Sequence, residues 1–146
     1  MAIRKKFSKS LFTQNDSPAR EAVMNFLSQE GFLVKENPDK YGADLIVHKG
    51  FKPGFYIEAE VKRVWRKEQD TFPWDTIQLP ERKSKFTKLD MPCEFWILRE
   101  DLKRAIRIPD FVVRNSPLVP VKNVLVQEGE LFFRIDIEQC DLVELS

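Results

Sequence analysis

The sequence predicts an α/β domain: a mixed α+β sheet with helices packed against it. Three observations carry that expectation. Near the N-terminus, Ala19, Ala22, Val23, Phe26 and Leu27 recur at helical spacing and form one apolar face. Residues 56–62 alternate polar with apolar at the period of two that marks a strand. Further short apolar runs follow, so the order reads helix, three strands, helix, two strands.

The elements follow in order. Residues 1–12 read as a basic N-terminal arm. Ser17 is a good N-cap, Pro18 suits the first helical position and Gly31 suits the stop, so the first helix starts at about residue 17. Phe32, Leu33 and Val34 suggest a first strand, and Asn37-Pro38-Asp39 a turn. A second strand covers about residues 43–48. Gly50, Pro53 and Gly54 mark the turn into a third, about residues 55–64. In that third strand Ile57, Ala59 and Val61 face one side, and Tyr56, Glu58, Glu60 and Lys62 the other. Residues 65–79, with Pro73 and Trp74, read as irregular. A second helix opens at Pro80 and runs to about Leu89. Residues 93–99 read as a buried strand and 105–108 as another. Phe111 to Val113 either extends that strand or starts a helical turn, and residues 131–137 read as an edge strand or a late addition.

The chain of 146 residues is long enough for one domain with its own core. The core is expected over 17–98, with 99–146 as a C-terminal extension. Hydrophobic residues at 42% against 32% charged place it among globular rather than disordered chains. No run approaches the roughly 20 apolar residues of a membrane span, so no membrane partner is expected. The basic N-terminus has no apolar run behind it to make a secretory signal, so a reduced, cytoplasmic setting is expected. Cys93, Cys140 and the lone His48 do not make a zinc set; His48 reads as an ordinary strand residue. The formal charge of +1 is uninformative, but its distribution is uneven. Arg4, Lys5, Lys6, Lys9 and Arg20 stand against Asp16 alone, and the middle of the chain is basic, while the tail is acidic. A basic face is compatible with phosphate binding; scattered solvated lysines are the alternative.

Glu58, Glu60 and Lys62 share a strand face on which alternate residues lie about 6–7 Å apart. Carboxylates so placed can converge on one hard cation, or on two about 4 Å apart. A salt-bridged, solvated row is the alternative. Asp44 heads the second strand. A hairpin folded near residues 51–52 sets it roughly opposite residues 58–60.

These pieces resemble the PD-(D/E)XK nuclease superfamily, with its restriction-endonuclease-like core of helix, three strands, helix and strand. The matching residues are Asp44 in Gly42-Ala43-Asp44-Leu45-Ile46-Val47, and Glu60-Val61-Lys62 at the end of the third strand. Ala43 stands where the family name has proline. Glu81-Arg82-Lys83 and Asp101-Leu102-Lys103 also match the bare string, but neither lies in an alternating strand behind an Asp-headed one.

The resemblance implies a metal-dependent deoxyribonuclease. Mg2+ or Mn2+ would be bound by Asp44, Glu60 and the Val61 carbonyl, with Lys62 orienting the attacking water or neutralising developing charge. Glu58 would hold a second ion, or Glu58-Ala59-Glu60 would be the true register with Glu60 in the lysine's slot. Some relatives add a helix-1 glutamate; Glu21 is the candidate, although it lies nearly opposite the apolar face. Gln78, Arg82, Lys83, Lys85 and Arg63 are the expected DNA contacts. Trp65, Phe72 and Trp74 either stack on bases or, as favoured here, close a core under a long loop. The expected substrate is duplex or branched DNA, cut by a structure-specific or Holliday-junction-resolvase-like enzyme; a phage or mobile-element endonuclease is the other setting. Resolvases act as symmetric dimers, so a homodimer stays open. The alternatives are a nucleic-acid-binding module of the same fold without catalysis, and a structural or partner-binding protein of phage type.

Overall fold

The computed structural model describes residues 9–121 and 130–146, with side chains from Ser17 onward. The basic residues of 1–8 and the acidic-tail residue Glu128 lie outside the described residues. Two sheets form. The larger has six strands in the order β1 (Leu33–Glu36), β2 (Leu45–Lys49), β3 (Lys52–Val61), β5 (Cys93–Leu98), β6 (Arg104–Pro109) and β9 (Asp141–Glu144). Only β3 and β5 run parallel; the other pairs are antiparallel. The smaller sheet places β8 (Leu131–Asp136) between β4 (Thr76–Pro80) and β7 (Leu118–Pro120). The architecture is therefore mixed α+β.

Alternation along β2, β3 and β5 splits the core in two. On one face Leu45, Val47, Ile57, Ala59, Trp96 and Leu98 pack against Ala19, Val23 and Leu27 of α1 (Lys9–Gln29). On the other face Phe95, Ile97, Ile106 and Ile108 meet Ile77 and Leu79 of β4 and Phe133 and Ile135 of β8. Phe86 of the 3-10 helix η1 (Glu81–Thr87) and Val112 and Val113 of α2 (Asp110–Arg114) complete that second layer. No helix among the described residues is long and apolar enough to cross a membrane.

α1 ends as expected. Gly31 takes φ 94°, its N–H bonds the Ser28 carbonyl and that of Phe32 bonds the Leu27 carbonyl. This is the paired 6→1 and 5→2 closure that a left-handed glycine permits. Its start differs. The helix begins at Lys9, so residues 9–12 are not an arm, and Ser17 and Pro18 lie inside it. Pro18 removes one intrahelical hydrogen bond, and the tertiary packing of the Ala19–Val23–Leu27 face outweighs that local stop signal.

Three further expectations need correction. The stretch 65–79 is not wholly irregular, because Thr76–Pro80 forms β4 with Ile77 and Leu79 inward. The helix expected from Pro80 to about Leu89 is a 3-10 segment over Glu81–Thr87: Pro80 belongs to β4, and Lys88 leaves helical geometry at φ −125°. Residues 131–137 do not form an edge; β8 is the centre of the small sheet, and β9 is the edge of the large one.

Trp65 closes the core under the long loop. It is fully buried, donates Nε1–H to the Gln69 carbonyl at 2.9 Å, and meets the Phe72 ring edge-on. Trp65→Ala is expected to cost about 3–5 kcal/mol. In a urea titration this lowers the midpoint at nearly unchanged slope. Trp74 packs on Phe72 but stays 55% exposed.

Candidate functional site

The site forms where β2 parts from β3. Leu45 pairs with Ile57, so Asp44 stands opposite Glu58. Asp44 precedes the strand, and its side chain takes over the ladder there. Its Oδ2 accepts the Ala59 N–H at 2.9 Å, a donor that a continuing β2 would have met with backbone. In return the Asp44 N–H donates to Glu58 Oε1 at 3.1 Å. The turn Asn37-Pro38-Asp39 holds this corner: Asn37 Oδ1 accepts from Asp39 N–H, and the Asn37 N–H bonds the Asp44 carbonyl.

Cations approach the two acids separately. Lys83 of η1 donates Nζ to Glu58 Oε2 at 2.9 Å, and Arg20 of α1 brings a guanidinium nitrogen to 3.9 Å from Asp44 Oδ1. Asp44 and Glu58 retain only 13% and 11% side-chain exposure. Glu60, two residues along the same face, lines a small cleft with Glu58, Lys83, Phe95 and Ile97. Burial, and then the charge of Asp44, push the Glu58 carboxyl up to about 8 against the opposing pull of Lys83. Burial works against the Lys83 charge too, but Glu58, then Glu60 and Asp44, outweigh it and raise the ammonium above its usual range. Three acids crowd one ammonium, which favours the charged form of Lys83 and, with burial, disfavours the charged form of Glu58.

No family model matches this chain, and no curated protein sequence matches it. The geometry alone carries the functional argument.

The structure brings Asp44 and Glu58 together, with Lys83 on Glu58, and sets Glu60 in the cleft beside them. Asp44 is hydrogen-bonded to Glu58, while Glu60 of the Glu60-Val61-Lys62 register lines the adjoining cleft. Val61 ends β3 and packs toward α1, and Lys62 continues the ladder through its N–H to the Leu98 carbonyl. Glu21 is exposed, and its neighbour Arg20 is the helix residue that faces Asp44. Gln78 sits in β4 opposite Arg134. Arg82 is exposed and paired with Glu130 at 3.1 Å; Lys85 is exposed with its Nζ 4.9 Å from the Phe86 ring centroid. Arg63 is exposed on the loop after β3. His48 is a partly buried β2 residue.

The donor set can be weighed for a divalent ion. Among the described residues no three His, Cys, Asp or Glu side chains cluster to hold a metal. Mg2+ commonly needs only one or two carboxylates, with waters and substrate phosphate completing its shell. Asp44 and Glu58, both largely buried, supply that number of carboxyl groups.

Proposed function

We propose that the chain is a divalent-metal-dependent nuclease hydrolysing phosphodiester bonds in DNA, built on a restriction-endonuclease-like core. The observation that carries the reading is the Asp44–Glu58 pair at the fork of β2 and β3, with the Lys83 ammonium on Glu58. The order α1, β1, β2, β3, β4, η1, β5, with β3 parallel to β5, supports the fold half of the reading. One departure stands: η1 and β4 occupy the crossover where that core carries a full helix.

In this reading the metal register is Glu58-Ala59-Glu60 rather than Glu60-Val61-Lys62, and the backbone carbonyl would come from Ala59 instead of Val61; the hydrogen bond from the Asp44 N–H to Glu58 supports it. Asp44 and Glu58 would hold Mg2+ or Mn2+, which when bound polarises the phosphate and lowers the pKa of a coordinated water. Lys83 keeps Glu58 oriented and supplies the positive charge that the missing strand lysine would have given. The raised ammonium pKa keeps that charge through neutral pH. Arg82 and Lys85, exposed on η1 either side of Lys83, would be the residues that meet phosphates. Arg82→Ala with Lys85→Ala is expected to weaken duplex binding in EDTA and to reduce its salt slope by up to about two. Fluorescence anisotropy at several salt concentrations reads this.

Digestion tests the reading. Wild type and Asp44→Asn are incubated with supercoiled plasmid, linear single strands and a four-way junction, each with Mg2+, Mn2+ or EDTA. Cutting by wild type that EDTA and the substitution both abolish is the expected result. Paired cuts across the junction mark a resolvase, which then requires two copies of the chain. DNA binding without cutting of any substrate favours the non-catalytic module instead.

A further inference from the structure

We infer that β9 is an acceptor edge for a basic, extended peptide segment of a partner protein, which adds a strand to the large sheet and sets one small branched side chain into the apolar cavity beside it. β5 and β6 separate β9 from β3, so this edge is independent of the Asp44–Glu58 corner and of the nuclease reading. Among the described residues β9 pairs only with β6. One bond fixes the direction of its backbone groups. The Leu145 N–H bonds the Lys103 carbonyl, so residues 141, 143 and 145 face β6. The N–H and C=O of Leu142 and Glu144 then point off the sheet, spaced as a further strand needs them.

Leu142 pairs with Ile106, and both line a cavity of about 80 Å3 whose other walls include Phe72, Ile137 and Cys140. The Phe72 ring lies 5.9 Å from that of Trp65 and 5.5 Å from that of Trp74, which fixes its wall. On the scale by which about 150 Å3 holds benzene, the cavity takes about three carbons, the branched end of a valine. In an added strand the residue opposite Leu142 projects to the same face of the sheet, toward that cavity. It would also cover Leu142, which is 49% exposed.

Charge selects the partner. Residues 136–146 hold Asp136, Glu138, Asp141 and Glu144 and no lysine, arginine or histidine, and all four acids are exposed. Arg104 comes within 3.9 Å of Glu144 and offsets one of them, while Arg107, near Asp141, is taken by Glu94. The negative field reaches the cavity: burial, then Asp141 and Asp136, push the Cys140 thiol up to about 11. The opposite edge of the sheet, β1, mixes Lys35 with Glu36 and makes no such choice. A segment whose lysines or arginines alternate with the anchoring side chain complements β9 in both shape and charge.

The probe is a capped, fluorescein-labelled peptide of five residues in which lysine alternates with valine. Fluorescence anisotropy at low salt follows its binding to wild type and to the double variant Asp141→Lys, Glu144→Lys, and amide hydrogen exchange by NMR locates it. Saturable binding is expected, weakened about tenfold in the double variant and about tenfold when serine replaces valine in the peptide. Exchange at the Leu142 and Glu144 N–H groups is expected to slow. The serine peptide and the exchange measurement use wild type, so they decide the matter if the double variant does not fold. No saturation by about 1 mM peptide overturns the assignment. So does equal binding of a glutamate–valine peptide, or binding that leaves exchange at Leu142 and Glu144 unchanged. Protection of those two amides that grows with protein concentration in the absence of peptide makes a second copy of the chain the occupant, and overturns it as well.

Discussion

Lys83→Ala is expected to cleave plasmid DNA about 100-fold or more slowly than wild type, the usual loss when one preorganised charge-stabilising donor is removed. Lys62→Ala is expected to stay within about tenfold of wild type, because its amine is not the one placed against the acids. The contrast follows from one distance. Lys83 Nζ is 2.9 Å from Glu58 Oε2, and both side chains are largely buried. Without Lys83 the opposing pull on the Glu58 carboxyl is gone, so burial and Asp44 hold its proton more firmly. That weakens Glu58 as a metal ligand as well as removing the positive charge. Lys83→Arg keeps the charge but not the compact ammonium, so partial activity is expected. Single-turnover rates on one plasmid substrate, with each variant checked by thermal melting, read the comparison. Equal loss in Lys62→Ala and Lys83→Ala would return the site to the Glu60-Val61-Lys62 register.

Glu58→Gln is expected to melt at a higher temperature than wild type at pH 9 in EDTA, and at nearly the same temperature at pH 5. The sign follows from the direction of the shift. The folded Glu58 carboxyl is raised to about 8 from an ordinary 4.5, by burial and then by Asp44. Between those values the native state holds a proton that the unfolded chain has lost. The stability this group contributes is thus full below pH 4.5 and is lost as pH rises through about 8. The steepest slope for one such proton is about 1.4 kcal/mol per pH unit. Glutamine copies the neutral acid and removes the slope. A bound divalent ion should act in the same direction on wild type. Mn2+ binding at pH 7 is expected to release about one proton, seen as a calorimetric heat that changes with the ionisation enthalpy of the buffer. It should also raise the melting temperature more at pH 8.5 than at pH 6. Flat pH behaviour of the wild-type and Glu58→Gln difference would remove the like-charge crowding from the account.

Much of the site's frame was legible in the sequence. The turn at Gly50 and Gly54 placed Asp44 opposite the 58–60 stretch, and strand alternation put Glu58 and Glu60 on one face. The hairpin count allows either Glu58 or Glu60 beside Asp44, and the lysine two residues after Glu60 favours the Glu60-Val61-Lys62 register, while the hydrogen bond from Asp44 goes to Glu58. The amine that meets Glu58 lies 25 residues away on η1. A signal for it existed in the Arg82-Lys83-Ser84-Lys85 run after Pro80, since two acids on one buried strand face call for a cation from the layer above. Arg20 was hidden for another reason: a helical wheel ranks residues against the apolar face, and an arginine beside that face reaches the sheet edge by its length. The remaining misses belong to the second layer. Thr76-Ile77-Gln78-Leu79 carries the alternation of β4, but Pro80 was given more weight as a helix start. The pairing of β8 with β4 and β7 is long-range and leaves no local trace.

The most direct measurement is a crystal of the wild-type protein soaked in Mn2+ and recorded at a wavelength where manganese scatters anomalously. The account predicts one anomalous peak per chain, within about 2.0–2.6 Å of carboxylate oxygens from both Asp44 and Glu58. It also predicts that the peak is lost in Asp44→Asn. A peak bound by Glu60 without Asp44, or none at this corner when the ion occupies other sites, would contradict it.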